Sequence, residues 1–215
     1  MKKKQNAGFT LLELLIAMMM SMIIILGVGQ FLVSATNHYK AIDNQVTLQM
    51  DAQDAVNTIS DFIMEGNNIS RVQGTSETMY SVYYDLGKLD VNNHRISREN
   101  ANQRIFWLNQ ADGNLYMFHP DSKSAYDNIV SDPGHSNPML LAEGVESFSI
   151  SVPKAGGALT ETGLDAAEYE TKNCVPIRIE IKINSTKMTR KKSVTDVSFK
   201  ATQEVAIRNR IQSID

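Results

Sequence analysis

A single cysteine, Cys174, stands in 215 residues, so no disulfide can form within the chain and its folded part must be held by packing alone. A head of about 150 residues can bury enough surface for that. Proline is scarce: there are five, and the first is Pro120, so nothing forces a helix to stop before it. Positive charge is not in excess, with 21 basic against 24 acidic residues and a net charge of −3. That balance excludes the broad basic face of a nucleic-acid-binding protein. The one dense basic run outside the first residues, Lys187, Arg190, Lys191 and Lys192, reads as a solvated loop. Signatures of catalysis are missing as well. No nucleophile elbow, phosphate loop or HExxH pattern occurs, which argues against an enzyme and leaves no cofactor to expect. His119, Asp121, Asp127, Asp132 and His135 have the composition of a metal site but lack the spacing of zinc or EF-hand ligands, so no metal is expected.

What the chain does have is one long apolar block near its start. From Leu14 to Ala35 no residue carries a formal charge, enough for the roughly 20 helical residues that cross about 30 Å of hydrocarbon. Lys2, Lys3 and Lys4 precede the block, while Asp43, Asp51, Asp54 and Asp61 follow it against Lys40 alone. The positive-inside rule then puts the N-terminus in the cytoplasm and the remainder across the membrane. A secretory signal peptide ending at Val33-Ser34-Ala35 fits less well, because the apolar stretch is too long and Glu13 interrupts its start. A plain anchor accounts for the hydrophobicity but leaves Glu13 unexplained, and apolarity on every face argues against the core helix of a soluble protein.

Glu13 is the informative residue. An ionisable group in a membrane segment costs roughly 2.5–3.5 kcal/mol at the helix centre, less near an end, and points to a functional partner. Favourable placement at a helix N-terminus is worth under about 1 kcal/mol and explains tolerance only. Cleavage after Gly8 would free an amino group on Phe9, four residues before Glu13, at the depth of the carboxylate.

Lys2 to Lys4 followed by Gly8-Phe9-Thr10-Leu11-Leu12-Glu13-Leu14-Leu15-Ile16-Ala17 resembles the class III signal of type IV pilins and type II secretion pseudopilins. The resemblance covers about 30 residues. It implies that a membrane prepilin peptidase cuts between Gly8 and Phe9, that Phe9 is N-methylated, and that Glu13 docks against the N-terminal amine of a neighbouring subunit. It also implies an inner-membrane protein that later enters a pilus or pseudopilus, with major and minor pilins or pseudopilins as partners. Glycine before the scissile bond suits close approach of a protease, having no Cβ. The Glu13–amine pair reads as a register device more than a source of stability, since desolvation offsets much of the attraction. Many major pilins carry a proline midway along this segment. Gly27, Gly29 and Gln30 occupy that region here, which removes a proline kink and permits local melting.

Beyond the block, Tyr39, Ile42, Val46, Met50, Val56, Ile59 and Ile63, with Ala52 bridging Met50 to Val56, read as one apolar helical stripe that packs on a head. Gly66-Asn67-Asn68 is the stop signal, so residues 9 to 65 would form a helix of roughly 85 Å. The periodicity then changes to two. Strands are expected at Met79–Tyr84, Arg104–Leu108, Leu115–Phe118, Val145–Val152, Ile177–Ile183 and within Ser193–Ile207, with a hairpin turn at Ala111-Asp112-Gly113-Asn114. Ile177, Ile179, Ile181 and Ile183 should face the core. Residues 119–139 and 153–175 read as long loops where a partner would be met. The expected organisation is a leader at 1–8, a transmembrane helix at 9–35, an amphipathic half at 36–66 and a β-rich head at 67–215. That is an α+β fold of one long N-terminal helix on an antiparallel sheet. The order of elements in the head resembles PilW-type minor pilins and J-type pseudopilins, which implies a low-abundance subunit that initiates or caps a filament, at its tip. A DNA-binding competence pilin would need a basic strip, and the acidic balance argues against one.

Overall fold

A computed structural model describes residues 10–72, 78–85, 88–94, 96, 100, 102–153, 159–160, 176–185 and 197–207. Two compact units divide the chain, Met1–Asp43 and Asn44–Asp215. Helix α1, Leu11–Glu65, is α-helical throughout its 55 residues, including Gly27 and Gly29. With no proline before Pro120 the hydrogen-bond ladder is never interrupted.

In the second unit the chain forms two antiparallel sheets. Strands β1 (Asn68–Arg71), β2 (Thr78–Tyr83), β3 (Gln103–Asn109), β4 (Asn114–Phe118) and β5 (Met139–Ala142) make a meander in that spatial order. Strands β6 (Val145–Pro153), β7 (Leu159–Thr160), β8 (Ile177–Asn184) and β9 (Ser198–Val205) make the second sheet, ordered β7-β6-β8-β9. The α+β architecture is therefore as the change of periodicity predicts. Glu143 and Gly144 carry the chain from one sheet to the other. Gly144 has a φ of 71° and Gly113, in the β3–β4 turn, 70°, which side chains avoid. The two turns meet where the Val145 N–H donates to the Gly113 carbonyl at 2.6 Å.

Strict alternation in β8 does what its pattern dictates. Ile177, Ile179, Ile181 and Ile183 have no exposed surface, each burial worth about 1.5–3 kcal/mol relative to exposure. On the other face Lys182 and Lys200 lie directly opposite, an unfavourable like-charge pair that is relieved sideways. Lys182 reaches Glu146 at 2.9 Å and Lys200 reaches Glu180 at 2.9 Å, while Arg178 pairs with Glu204.

The first sheet is buried on both faces. Tyr80, Val82, Phe106, Leu108 and Leu115 join the main core with Leu48, Ala52, Ala55, Val56, Ile59 and Ile63 of α1 and the isoleucines of β8. Their strand neighbours Met79, Ile105, Trp107 and Phe118 point the opposite way and form a second core with Val72 and Ile129. Ile129 comes from α2, Lys123–Ser131, so the expected loop 119–139 is corrected: it contains a helix and a 3-10 turn at Pro133–His135. Ser122 caps α2 by accepting from the Ala125 N–H, and Tyr126, Ile129 and Val130 supply the apolar face that the second core needs. The second long loop, 153–175, and Cys174 lie almost wholly outside the described residues, as do Lys187, Arg190, Lys191 and Lys192.

The single stripe expected on α1 is corrected too. Tyr39, Ile42, Val46 and Met50 are exposed, whereas Leu48, Ala52, Ala55, Val56, Ile59 and Ile63 are buried. Met50 and Ala52 stand about 200° apart around a helix of 3.6 residues per turn, so the residues of the expected stripe lie on two faces.

The end of α1 is held by β2 and β3. Gly66 N–H donates to Phe62 O at 3.0 Å, and Asn67 N–H donates to Tyr83 O at 2.7 Å, so the helix passes straight into the sheet. The Tyr84 hydroxyl donates to Phe62 O at 3.3 Å, and the Arg104 guanidinium lies 5.7 Å from the Phe62 ring centre and 5.5 Å from that of Tyr84. Burial pushes the Tyr84 hydroxyl well above its ordinary range. No basic residue occurs in the last turn of α1, and Arg104 supplies a cation there from β3.

Candidate processing and docking site

The first turn of α1 is organised by Thr10 and Glu13. The Glu13 N–H donates to Thr10 Oγ1 at 3.3 Å, and the Thr10 N–H donates back to Glu13 Oε2 at 3.0 Å. Thr10 Oγ1 also donates to the same carboxylate oxygen at 3.0 Å. This reciprocal arrangement is a capping box, which satisfies amide donors that a helix start otherwise leaves unpaired. Thr10 is the residue that reading the sequence missed, although its signal was present: Thr10-Leu11-Leu12-Glu13 has the T-x-x-E spacing. Gly8 and Phe9, the expected cleavage and methylation positions, lie outside the described residues. Glu13 therefore stands at the first turn of α1, where its carboxylate is held by the cap.

After this turn the helix exposes apolar side chains on all sides, from Leu11 through Met18, Ile23 and Phe31 to Val33. It is one helix long and apolar enough to cross a membrane, with that stretch wholly unburied. Its hydroxyls are satisfied within the helix, since Ser21 Oγ donates to Ala17 O at 2.8 Å and Thr36 Oγ1 to Leu32 O at 2.8 Å. Such back-bonding is what a polar group in hydrocarbon requires.

Among the described residues no group of three or more His, Cys, Asp or Glu side chains converges as metal ligands would. The candidates around α2 reduce to an exposed pair, His135 Nδ1 at 2.7 Å from Asp132. The hydrogen bond to His135 holds the Asp132 carboxyl below its usual range, and the same bond raises His135.

A family model described as the prokaryotic N-terminal methylation motif matches residues 3–29. No curated protein and no solved structure matches the chain. The matched stretch contains Gly8, Phe9, Thr10 and Glu13 together with most of the apolar block. Residues 3–29 thus carry the prepilin-type signal of type IV pilins and pseudopilins, which implies processing by a prepilin peptidase and assembly into a filament, and fits anchoring in the inner membrane beforehand.

Proposed function

We propose that this chain is a minor type IV pilin, a low-abundance structural subunit that helps to initiate or cap a filament and performs no catalysis. The observation that carries the reading is the methylation motif over residues 3–29, set on a helix whose apolar segment is wholly unburied. Residues 1–8 are the leader, the peptidase cuts between Gly8 and Phe9, and Phe9 is methylated. Residues 9–35 cross the inner membrane with the N-terminus in the cytoplasm, residues 36–66 form the amphipathic half, and residues 67–215 form the head outside. On assembly the Glu13 carboxylate leaves its local cap to meet the amine of a neighbouring subunit, exchanging two neutral donors for a cation in a low-dielectric setting. A β-rich head of this size suits a cap or tip better than a repeated shaft, where every head must fit a helical lattice.

The same signal serves a pseudopilin of type II secretion, in which case the filament pushes folded substrates outward. Deleting the gene separates the two: loss of surface pili supports the minor pilin, and loss of secreted hydrolases with pili intact supports the pseudopilin. The pathway itself is tested by intact mass and N-terminal sequence of protein recovered from membranes of a host with its prepilin peptidase. A start at methylated Phe9 is expected, and a start at Met1 or Thr36 would overturn the reading.

A further inference from the structure

Within the first unit, the stretch of α1 between Glu13 and Lys40 carries no Asp, Glu, Lys or Arg. Its composition changes near the far end. From Leu14 to Ala35 the side chains are almost all apolar, and these 22 residues rise through roughly 33 Å, close to the thickness of the hydrocarbon. Thr36, Asn37, His38, Tyr39 and Lys40 follow, every one exposed, with Tyr39 at 75%. They add roughly 7 Å of helix, about the depth of one headgroup layer. Thr36 Oγ1 still bonds back to Leu32 O at 2.8 Å, as suits a hydroxyl at the edge of hydrocarbon, so the change of surroundings falls just after it.

Lys40 is the one cation between Lys4 and Arg71, and it stands on the side of the apolar segment where cations are depleted. A lysine one headgroup layer beyond the hydrocarbon has a reason to be there, because its stem lies along the acyl boundary while its ammonium reaches lipid phosphate. Tyr39 is of the residue type that settles at membrane–water interfaces, its ring at headgroup level. Adjacent residues stand about 100° apart around a helix, so the two side chains engage lipid on different sides.

We infer that Tyr39 and Lys40 form a collar that docks on the headgroups of the outer leaflet, with Lys40 taking the phosphate of an anionic lipid. The inference rests on the reading of residues 9–35 as a membrane span and names the surface that ends it. The collar fixes how deep the helix stands: Glu13, roughly 40 Å away along the axis, falls in the headgroup layer of the opposite leaflet.

Spin-label depth measurements on the full chain test this, in vesicles of phosphatidylethanolamine with phosphatidylglycerol and in vesicles of phosphatidylcholine alone. The chain carries Cys174→Ser and a single nitroxide on either Ile24→Cys or Asn37→Cys. The Ile24 label should be reached by oxygen and not by a neutral nickel chelate. At Asn37 the chelate should have at least twofold less access in the anionic vesicles than in the neutral ones. Lys40→Gln should abolish that difference, and Tyr39→Ala should raise chelate access at Asn37 in both kinds of vesicle. Equal access at Asn37 in the two vesicles, a difference that survives Lys40→Gln, or no response to Tyr39→Ala would each overturn the inference while an excluded Ile24 leaves the span intact. Chelate access at Ile24 would instead overturn the span reading, and the collar with it.

Discussion

Gly66 sits so close to Val82 that a Cβ added to the glycine would stand 2.5 Å from Val82 Cγ1 and 3.2 Å from the Tyr83 carbonyl oxygen. The glycine ends α1 by making room rather than by adopting a left-handed conformation. Gly66→Ala should therefore destabilise the head by about 1–3 kcal/mol, since either β2 or the helix end must shift. Urea unfolding of a fragment lacking the apolar segment, compared with the parent fragment, measures it. Val82→Ala in the Gly66→Ala background should recover less than the full loss, because the carbonyl contact remains.

Arg104 lies over two rings, and its removal tests how firmly the helix end is held. Arg104→Ala should cost about 1–2 kcal/mol through two lost cation–π contacts. Arg104→Lys should retain part of it, the charge being kept while the planar stacking group is lost. Amide exchange at Gly66 and Asn67, whose N–H groups bond to Phe62 and Tyr83, should speed up in both variants.

Glu13 has a local role and a proposed assembly role, and glutamine separates them. Either residue completes a capping box, so Glu13→Gln should keep the helix start, while Glu13→Ala and Thr10→Ala should each weaken it. Both Glu13 variants should be cleaved normally and yet be poorly recovered in sheared filaments. Full incorporation of Glu13→Gln would show that the charge is not needed for docking.

Titration of His135 followed by NMR should give a midpoint above the ordinary value of about 6.5, and Asp132→Asn should bring it back down. The raised histidine makes its contribution at low pH and loses it as pH rises through the raised midpoint. The lowered Asp132 makes its contribution above about pH 4 and loses it as pH falls through its lowered value. The pair is therefore intact in the window between, and being exposed it should leave the melting temperature nearly flat across it.

Ile181→Ala should cost about 2–5 kcal/mol, as for other fully buried aliphatic truncations, whereas Glu180→Ala beside it should cost well under about 1 kcal/mol. Denaturant midpoints of the two variants give the contrast directly.

Most of this architecture was legible because single faces announce themselves. Ile177 to Ile183 alternate with charges, and one buried face follows. Arg104-Ile105-Phe106-Trp107-Leu108 shows no alternation because both faces are covered; a continuous apolar run marks a strand without saying what lies on either side. The second core was missed for that reason, together with α2, whose Tyr126, Ile129 and Val130 are too few to stand out in a polar stretch. The stripe on α1 went wrong at the two-residue step from Met50 to Ala52, where the buried face takes small residues that a search for large ones passes over. In the first turn of α1, the cost of a charge in a membrane singles out Glu13. Thr10 does not stand out the same way, because a lone threonine before an apolar run carries no such cost and its capping role shows only in its spacing to Glu13.

The meander of the first sheet has a temporal consequence. Its strands pair in the order in which they occur in the chain, so each finds its neighbour in the strand just before it, although the β2–β3 and β4–β5 connections, residues 84–102 and 119–138, are themselves long. The second sheet has no such schedule. Strand β6 must wait across residues 154–176 for β8, and the isoleucines of β8 complete the core around α1. A chain held by its N-terminal segment would thus pass through a stage with a finished first sheet and an open flank, and the arrival of Ile177 to Ile183 would set the moment at which the head becomes competent to dock.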